Sequence, residues 1–562
     1  MQDLTKSLIL LNGELKTLQI ASISKLDANA FRVSFKNSPK SYTYSADKVV
    51  WLTNPQWLVP ELCKVYRGGR LQTDVTEIWQ FEAGQNNYWR IKYRSGYEGE
   101  YTDGQINVVK TCLDEETSMN TYAYLKQVAA INPLRKEEDK EGILSQIYEK
   151  VDFIDDKTAA ACYINPDKHK VRILSHKDLI YPFGCNASQK KAVAAAFEHQ
   201  VSVVQGPPGT GKTQTILNVI ANIVRNGETV LVVSNNNSAI TNVQEKLEKY
   251  GLAFIVAPLG SKENKELFIS QQTLVPTEVS SWSCPMQDGM RMKSTLHDTL
   301  RSLDKVYALL NEDAMLRQEQ QSVGLEWRHF CMDNGIDEHT PLVRRVQSSL
   351  IIRLWLHYQS KADGTLIAPD GLWSRITEGL KSLWMRMICR YRLRLHNKFE
   401  QADMKPLVIE LQTLYYLNRR IEIEERLETI RQELSTYDVD LLTKTLTDTS
   451  ITLFKASLHD IYDKRESILF KDTKDMKAHG EDFLKRYPVV LSTTFSARSC
   501  VFGDKPYDYI IMDEASQVSI ETGALALTCA NNAVIVGDTL QLPNVVTEED
   551  RTKLTAIMEQ YH

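Results

Sequence analysis

Gly206-Pro207-Pro208-Gly209-Thr210-Gly211-Lys212-Thr213 follows the apolar run Val201-Ser202-Val203-Val204 and opens the apolar stretch from Gln214 to Val224. A G-x-x-x-x-G-K-[ST] loop set between a strand and a helix is a phosphate cradle. Its glycines let the backbone curl until several N–H groups point inward, and the helix N-terminus adds positive potential. Gly206, Gly209, Thr210 and Gly211 are therefore expected to line phosphate oxygens. Lys212 is expected to reach the β- and γ-phosphates, and the Thr213 hydroxyl to ligate Mg²⁺. The expected ligand is a nucleoside triphosphate with its magnesium ion.

Reading outward, Val230-Leu231-Val232-Val233, Tyr509-Ile510-Ile511-Met512 and Ala533-Val534-Ile535-Val536 are also continuous apolar runs. Such runs suit parallel strands covered on both faces, and helical stretches alternate with them. The predicted fold class is α/β, a doubly wound parallel sheet. Asp513-Glu514 closes one of these strands. After a strand, an Asp-Glu pair is ordinarily a solvated turn. Downstream of a phosphate loop it supplies what such a site lacks, with Asp513 as a Mg²⁺ ligand and Glu514 polarising the attacking water.

With 562 residues, 43% hydrophobic and 25% charged, the chain has the composition of a globular protein of several domains, which excludes a disordered or fibrous class. Net charge is -5, so any nucleic-acid surface must be a local groove and not a general cationic character. The nine cysteines form no C-x-x-C pair and no Cys/His cluster at zinc spacing, which predicts reduced, mostly buried thiols. Leu8–Leu11 is too short for a signal-peptide core, and no window approaches the length of a membrane span. The expectation is a cytoplasmic protein without membrane segments and with no membrane among its partners.

Residues 1–113 alternate apolar and polar positions in short runs, such as Phe31-Arg32-Val33-Ser34-Phe35 and Tyr88-Trp89-Arg90-Ile91-Lys92-Tyr93. Period-two patterning rich in aromatics predicts a β-rich, barrel-like accessory domain. Residues 114–175 are expected to form a helical stalk, with helices over Thr121–Ile131 and Lys136–Val151 separated by Asn132-Pro133. The α/β domain is expected in two pieces, 176–266 and 483–562, interrupted by a long helical insertion over 267–482. There Leu407, Leu411, Leu414, Ile423, Leu427, Ile430 and Leu434 keep the 3/4 spacing of a packing seam.

Three ordered motifs carry a family resemblance. Gln205–Thr213, Asp513-Glu514-Ala515-Ser516-Gln517 and Gly537-Asp538-Thr539-Leu540-Gln541-Leu542-Pro543 resemble motifs I, II and III of the superfamily 1 helicases related to the up-frameshift RNA helicase and senataxin. The resemblance implies a RecA-like motor domain that uses ATP and Mg²⁺. It implies that Gln541 senses the γ-phosphate, and that Gln189, within Asn186-Ala187-Ser188-Gln189, resembles the family's adenine-reading glutamine. Tyr181 and Phe183 are then either stacking neighbours of adenine or plain core aromatics. Ser234–Ile240 resembles motif Ia, with Asn235 where the family commonly has proline, and Ser492-Thr493-Thr494 resembles the next strand-contacting loop. Asn236, Asn237 and Thr493 are accordingly candidate sugar-phosphate contacts.

The resemblance implies an ATP-driven helicase or translocase on single-stranded or duplex DNA or RNA, with 5′ to 3′ polarity. A second reading, from another class, is a nucleotide-dependent scaffold whose insertion recruits partners. Family motors close the ATP site with arginines from a second RecA-like domain. Only 21 residues follow Gln541. The expectation is thus part of a motor, its second RecA-like domain encoded by the same gene or supplied by a separate chain. Within the insertion, Arg386, Arg390, Arg394 and Lys398 recur every four residues, opposite a stripe of Leu380, Leu383, Trp384, Met387, Ile388, Tyr391 and Leu395. Three readings compete there: a solvated basic face above a packed apolar face, a nucleic-acid or partner surface, or a membrane-surface helix.

Overall fold

Six strands dominated by Val, Ile and Leu pair into one sheet. They are β1 (Val201–Gln205), β2 (Val230–Ser234), β3 (Val256–Pro258), β4 (Val489–Thr493), β5 (Tyr507–Asp513) and β6 (Ala530–Gly537). Their spatial order is β1-β6-β5-β2-β4-β3 and every ladder is parallel. The computed structural model describes residues 4–84, 86–132, 142–171, 179–342, 344–363, 372–395, 404–463, 465, 468–502, 505–541 and 548–561. Register fixes where chemistry collects: Gln205 lies opposite Gly537, and Ser234 lies opposite both Asp513 and Thr493. All five positions sit at the C-terminal edge of the sheet, where open α/β sheets bind ligands.

The expected RecA-like α/β domain is thereby present. Strands β2, β4 and β5 are buried almost throughout. Strand β1 departs from the expected double coverage, because it lies at the sheet's edge and Val203 is 74% exposed. Apolar identity alone could not report which neighbours a strand receives. Helix α1 (Ala187–Glu198) precedes β1, α2 (Lys212–Arg225) follows the phosphate loop, and α3 (Asn237–Lys249) follows β2. Helix α2 is buried from Thr215 to Val224 and is the main internal helix of the domain.

The chain divides into two compact units, Met1–Lys293 with Thr447–His562, and Ser294–Leu446. The first unit also holds the β-rich segment, four antiparallel sheets built from strands such as Ala30–Phe35, Val75–Ala83 and Asn86–Tyr93. Ile78 faces Ile91 across one ladder and both are fully buried. Arg90 breaks the polar-out pattern: it is buried, donates to the Ser7 carbonyl at 2.5 Å and pairs with Glu100 at 2.7 Å. Helices follow over Glu116–Ile131 and Ile143–Lys150; the expected helical start over residues 136–141 lies outside the described residues.

The second unit is helical. Helix α4 (Met286–Asn334) enters it, and α5 (Ser348–Ala362), α6 (Leu372–Met387) and α7 (Lys405–Ser435) lie within it. This compact unit covers part of the 267–482 segment expected as the helical insertion; Phe470, from the same segment, packs in the sheet's core. The leucine seam of α7 is buried at Leu407, Leu411, Leu414, Ile423, Leu427 and Ile430. Beside it Arg419 grips Glu319 through two hydrogen bonds of 2.6 and 2.7 Å, and Arg426 grips Glu312 through two of 2.7 and 2.8 Å.

Helix α6 overturns one reading of the basic segment. In its last turns and the residues that follow, Met385, Cys389, Leu393 and Leu395 are packed, with Ile388 partly buried beside them. Leu380, Leu383, Trp384, Met387 and Tyr391 are exposed. Most of the apolar stripe therefore faces outward, and the solvated-basic, packed-apolar arrangement is not the one adopted. Lys398 lies outside the described residues.

Candidate nucleotide site

The phosphate loop turns on two left-handed glycines, Gly209 at φ +85° and Gly211 at φ +83°. Side chains rarely tolerate that conformation. A Cβ at Gly211 would also land on the Gln189 amide nitrogen, and one at Gly206 would meet Thr210 Oγ1 at 2.7 Å. Lys212 opens α2, so its N–H and that of Thr213 have no acceptor within the helix and face the loop with the helix's positive end. The Lys212 ammonium donates to the Gly206 carbonyl at 3.1 Å and lies 3.8 Å from Glu514 Oε1. It thus spans from loop to carboxylate.

Asp513 ends β5 and is buried; one carboxylate oxygen accepts the Glu514 N–H at 2.9 Å. Burial pushes its carboxyl above the ordinary value of 3.8, and the Glu514 N–H and the Lys212 charge only partly oppose that. Glu514 adopts φ +51°, a strained conformation for a non-glycine residue. Its Oε2 is buried with no hydrogen-bond partner, as are Ser516 Oγ and Gln541 Oε1. A buried acceptor without a donor costs about 1–3 kcal/mol. Glu514 and Ser516 lie on the loop after β5 and Gln541 on the loop after β6, both leaving the C-terminal edge of the sheet. An anionic phosphate facing Lys212 and a hard cation taken by the Asp513 carboxylate and the Thr213 hydroxyl fit this donor and acceptor set.

Gln189 sits at the same loop. As the third residue of α1 it closes a capping box with Asn186, and its Nε2 donates to the Thr210 and Gly211 carbonyls and to Gln214 Oε1, each at 3.2 Å. Any adenine contact must compete with these bonds. Tyr181 and Phe183 are buried, and Phe183 packs edge-on to Tyr250 with ring centroids 4.9 Å apart, so both are core aromatics.

The candidate strand contacts meet at the adjoining edge, where Ser234 and Thr493 are register partners. Asn236 caps α3 by accepting from the Ser238 N–H at 3.0 Å and its hydroxyl at 2.8 Å. Asn237 is the first residue of α3. Thr493 Oγ1 accepts the Ser496 N–H at 3.2 Å. Asn236 and Thr493 thus carry structural duties at the loops that the sequence singled out.

Sequence reasoning missed the ties between motifs. Gln205 donates to Thr539 Oγ1 at 2.5 Å, linking the end of β1 to the loop that carries Gln541. Asn235, in the place of the family's proline, donates to the Gln517 carbonyl at 2.9 Å and so joins the loops after β2 and β5. Gly537 packs closely on the loop after β5: a Cβ there would lie 3.2 Å from the Ser516 nitrogen. The available signal was that these residues lie within motifs; the partners of Gln205 and Asn235 are 334 and 282 residues away in one chain.

A parallel sheet whose C-terminal edge gathers a glycine-rich loop, its lysine and an Asp-Glu pair defines a P-loop nucleotide-binding domain of RecA-like form. The profile of the AAA domain family matches residues 184–549, and the chain belongs to that family, as a superfamily 1 helicase domain of the up-frameshift type. It is similar to an uncharacterized ATP-dependent helicase of Mycoplasma genitalium, 22% identical over 60% of this chain and 38% of the relative. Regulator of nonsense transcripts 1 of Caenorhabditis elegans is 37% identical over 16% of this chain and 8% of its own length. ATP-dependent helicase upf1 of Schizosaccharomyces pombe is 35% identical over 15% and 10%. The chain thus spans well under half the length of the relatives it matches.

Proposed function

We propose that this chain is the ATP-binding part of a nucleic-acid helicase or translocase. The observation that carries the reading is the convergence of Lys212, Asp513, Glu514 and Gln541 on one sheet edge, with the Glu514 and Gln541 oxygens buried and unpartnered. Lys212 holds the β- and γ-phosphates once it leaves the Gly206 carbonyl, and the loop N–H groups orient them. Thr213 and Asp513 would hold Mg²⁺, which would supply charge that offsets the phosphates. Glu514 Oε2 takes the proton of the attacking water, and Gln541 reports the γ-phosphate to the loop fixed by Gln205. Asn236, Asn237 and Thr493 stand on the loops that would meet a DNA or RNA backbone, a contact that carries no sequence information.

ATP hydrolysis by the whole protein, stimulated by single-stranded or duplex nucleic acid, is the expected outcome. It is measured by phosphate release with and without DNA or RNA, alongside Lys212→Ala and Glu514→Gln, both of which should abolish it. Equal turnover with and without nucleic acid would sink the motor reading. Arginines of a second RecA-like domain complete the site in this reading, from the same gene or another chain.

A further inference from the structure

The outward apolar stripe of α6 and the π-helical turn after it (Ile388–Arg392) has no role in the nucleotide site. Leu380, Leu383, Trp384, Met387 and Tyr391 are 63, 57, 55, 52 and 70% exposed. They recur at intervals of three, one, three and four residues, so they form one line along the helix. The opposite face is the anchored one, with Met385, Cys389 and Leu393 packed among Ile351, Leu354, Tyr358, Leu407, Leu411 and Leu414. Scattered exposed apolar residues are ordinary; five in a line, opposite Met385, Cys389 and Leu393 held in a core, have the pattern of a docking surface.

Charge selects the partner. From Leu380 to Leu395 the sequence contains Lys381, Arg386, Arg390, Arg392 and Arg394 and no acidic residue. All five cations are exposed. The helix therefore presents aliphatic and aromatic side chains outward with basic groups beside them, and Trp384 and Tyr391 are amphipathic rings suited to a headgroup boundary. A nucleic-acid strand would engage the cations and could stack on the two rings, but it offers nothing to Leu380, Leu383 and Met387. An anionic lipid surface takes every part of the pattern, with side chains in the acyl boundary and cations among the headgroups. Among the described residues no helix is long and apolar enough to cross a membrane, so the contact lies in the plane of the surface.

We infer that α6 and its following turn dock the helical unit on an anionic membrane surface. The test is flotation of the full chain with phosphatidylcholine vesicles, with and without phosphatidylglycerol. Binding to the anionic vesicles should exceed binding to neutral ones by about tenfold and weaken in high salt. Leu383→Glu with Trp384→Glu should remove it, while Trp384→Phe keeps it. Both positions are exposed, so far-ultraviolet circular dichroism and nucleotide binding should stay unchanged in the double variant. No flotation on anionic vesicles, or flotation that survives the double variant, overturns the inference. So does a result in which the double variant loses binding to a single-stranded oligonucleotide and keeps the vesicles. The outcome is independent of the nucleotide reading, since neither vesicle assay contains ATP.

Discussion

The edge of the sheet and the helical unit Ser294–Leu446 are built on opposite terms. At the sheet edge, strain and unpaired polarity are concentrated: left-handed Glu514, buried Asp513 with a raised pKa, and the unpartnered oxygens of Glu514, Ser516 and Gln541. In the helical unit, Asn418 accepts the Val346 N–H at 2.9 Å and donates to the Leu414 carbonyl at 2.8 Å, although Trp355 Nε1 is buried there without a hydrogen-bond partner. Its cations pair with acids in an Arg419–Glu319 and Arg426–Glu312 ladder. The first region carries the polarity that a ligand would satisfy; the second directs most of its ion pairs to its own packing and presents the α6 stripe outward.

The largest expected effect breaks the first region chemically. Lys212→Ala should lower ATP affinity by about a hundredfold, the equivalent of about 3 kcal/mol, with the melting temperature hardly moved. Fluorescent-nucleotide titration together with thermal melting checks both halves of that statement. Next, Gly211→Ala combines a strained φ with a collision against Gln189, so it should cost about 2 kcal/mol of stability and also impair nucleotide binding. Denaturant unfolding reads the first and titration the second.

A third variant should move the other way. Asp513→Asn removes a buried carboxylate and is expected to stabilise the nucleotide-free fold by about 1 kcal/mol, while ending the Mg²⁺ dependence of nucleotide binding. The sign follows from the raised pKa. The folded protein holds the Asp513 proton more tightly than the unfolded chain, so this residue's destabilisation grows as pH rises past 3.8 through the raised value. Melting curves of variant and wild type should therefore converge in acid and separate toward neutrality. The smallest effect belongs to the helical unit. Arg419→Ala breaks a partly exposed pair and should cost about 0.5–1 kcal/mol, leaving ATP affinity unchanged. If it lowered affinity as Lys212→Ala does, the two regions would not be separate in function.

Much of the site was legible because phosphate chemistry restricts residue types to neighbouring positions. The glycine loop, Lys212, Thr213 and Asp513-Glu514 could be read from spacing, and the three motifs carried the family. The helical seam of α7 was equally readable from its period. Charge and hydropathy misled where they were taken to imply burial: Val203 lies at an edge, Leu380, Leu383, Trp384, Met387 and Tyr391 face out, and Arg90 faces in. Gln189 looked like a nucleotide reader and is also a structural brace of the loop.

The sequence by itself determined the phosphate-loop motif, the α/β fold class and the helical character of the insertion, because these depend on local spacing and periodicity. Only the tertiary structure decided that Gln205 meets Thr539, that Asn235 meets Gln517, which side of α6 is packed, and which strand is the edge. Those facts depend on contacts between residues far apart in the chain, and burial is a property of the neighbours a residue receives rather than of the residue itself.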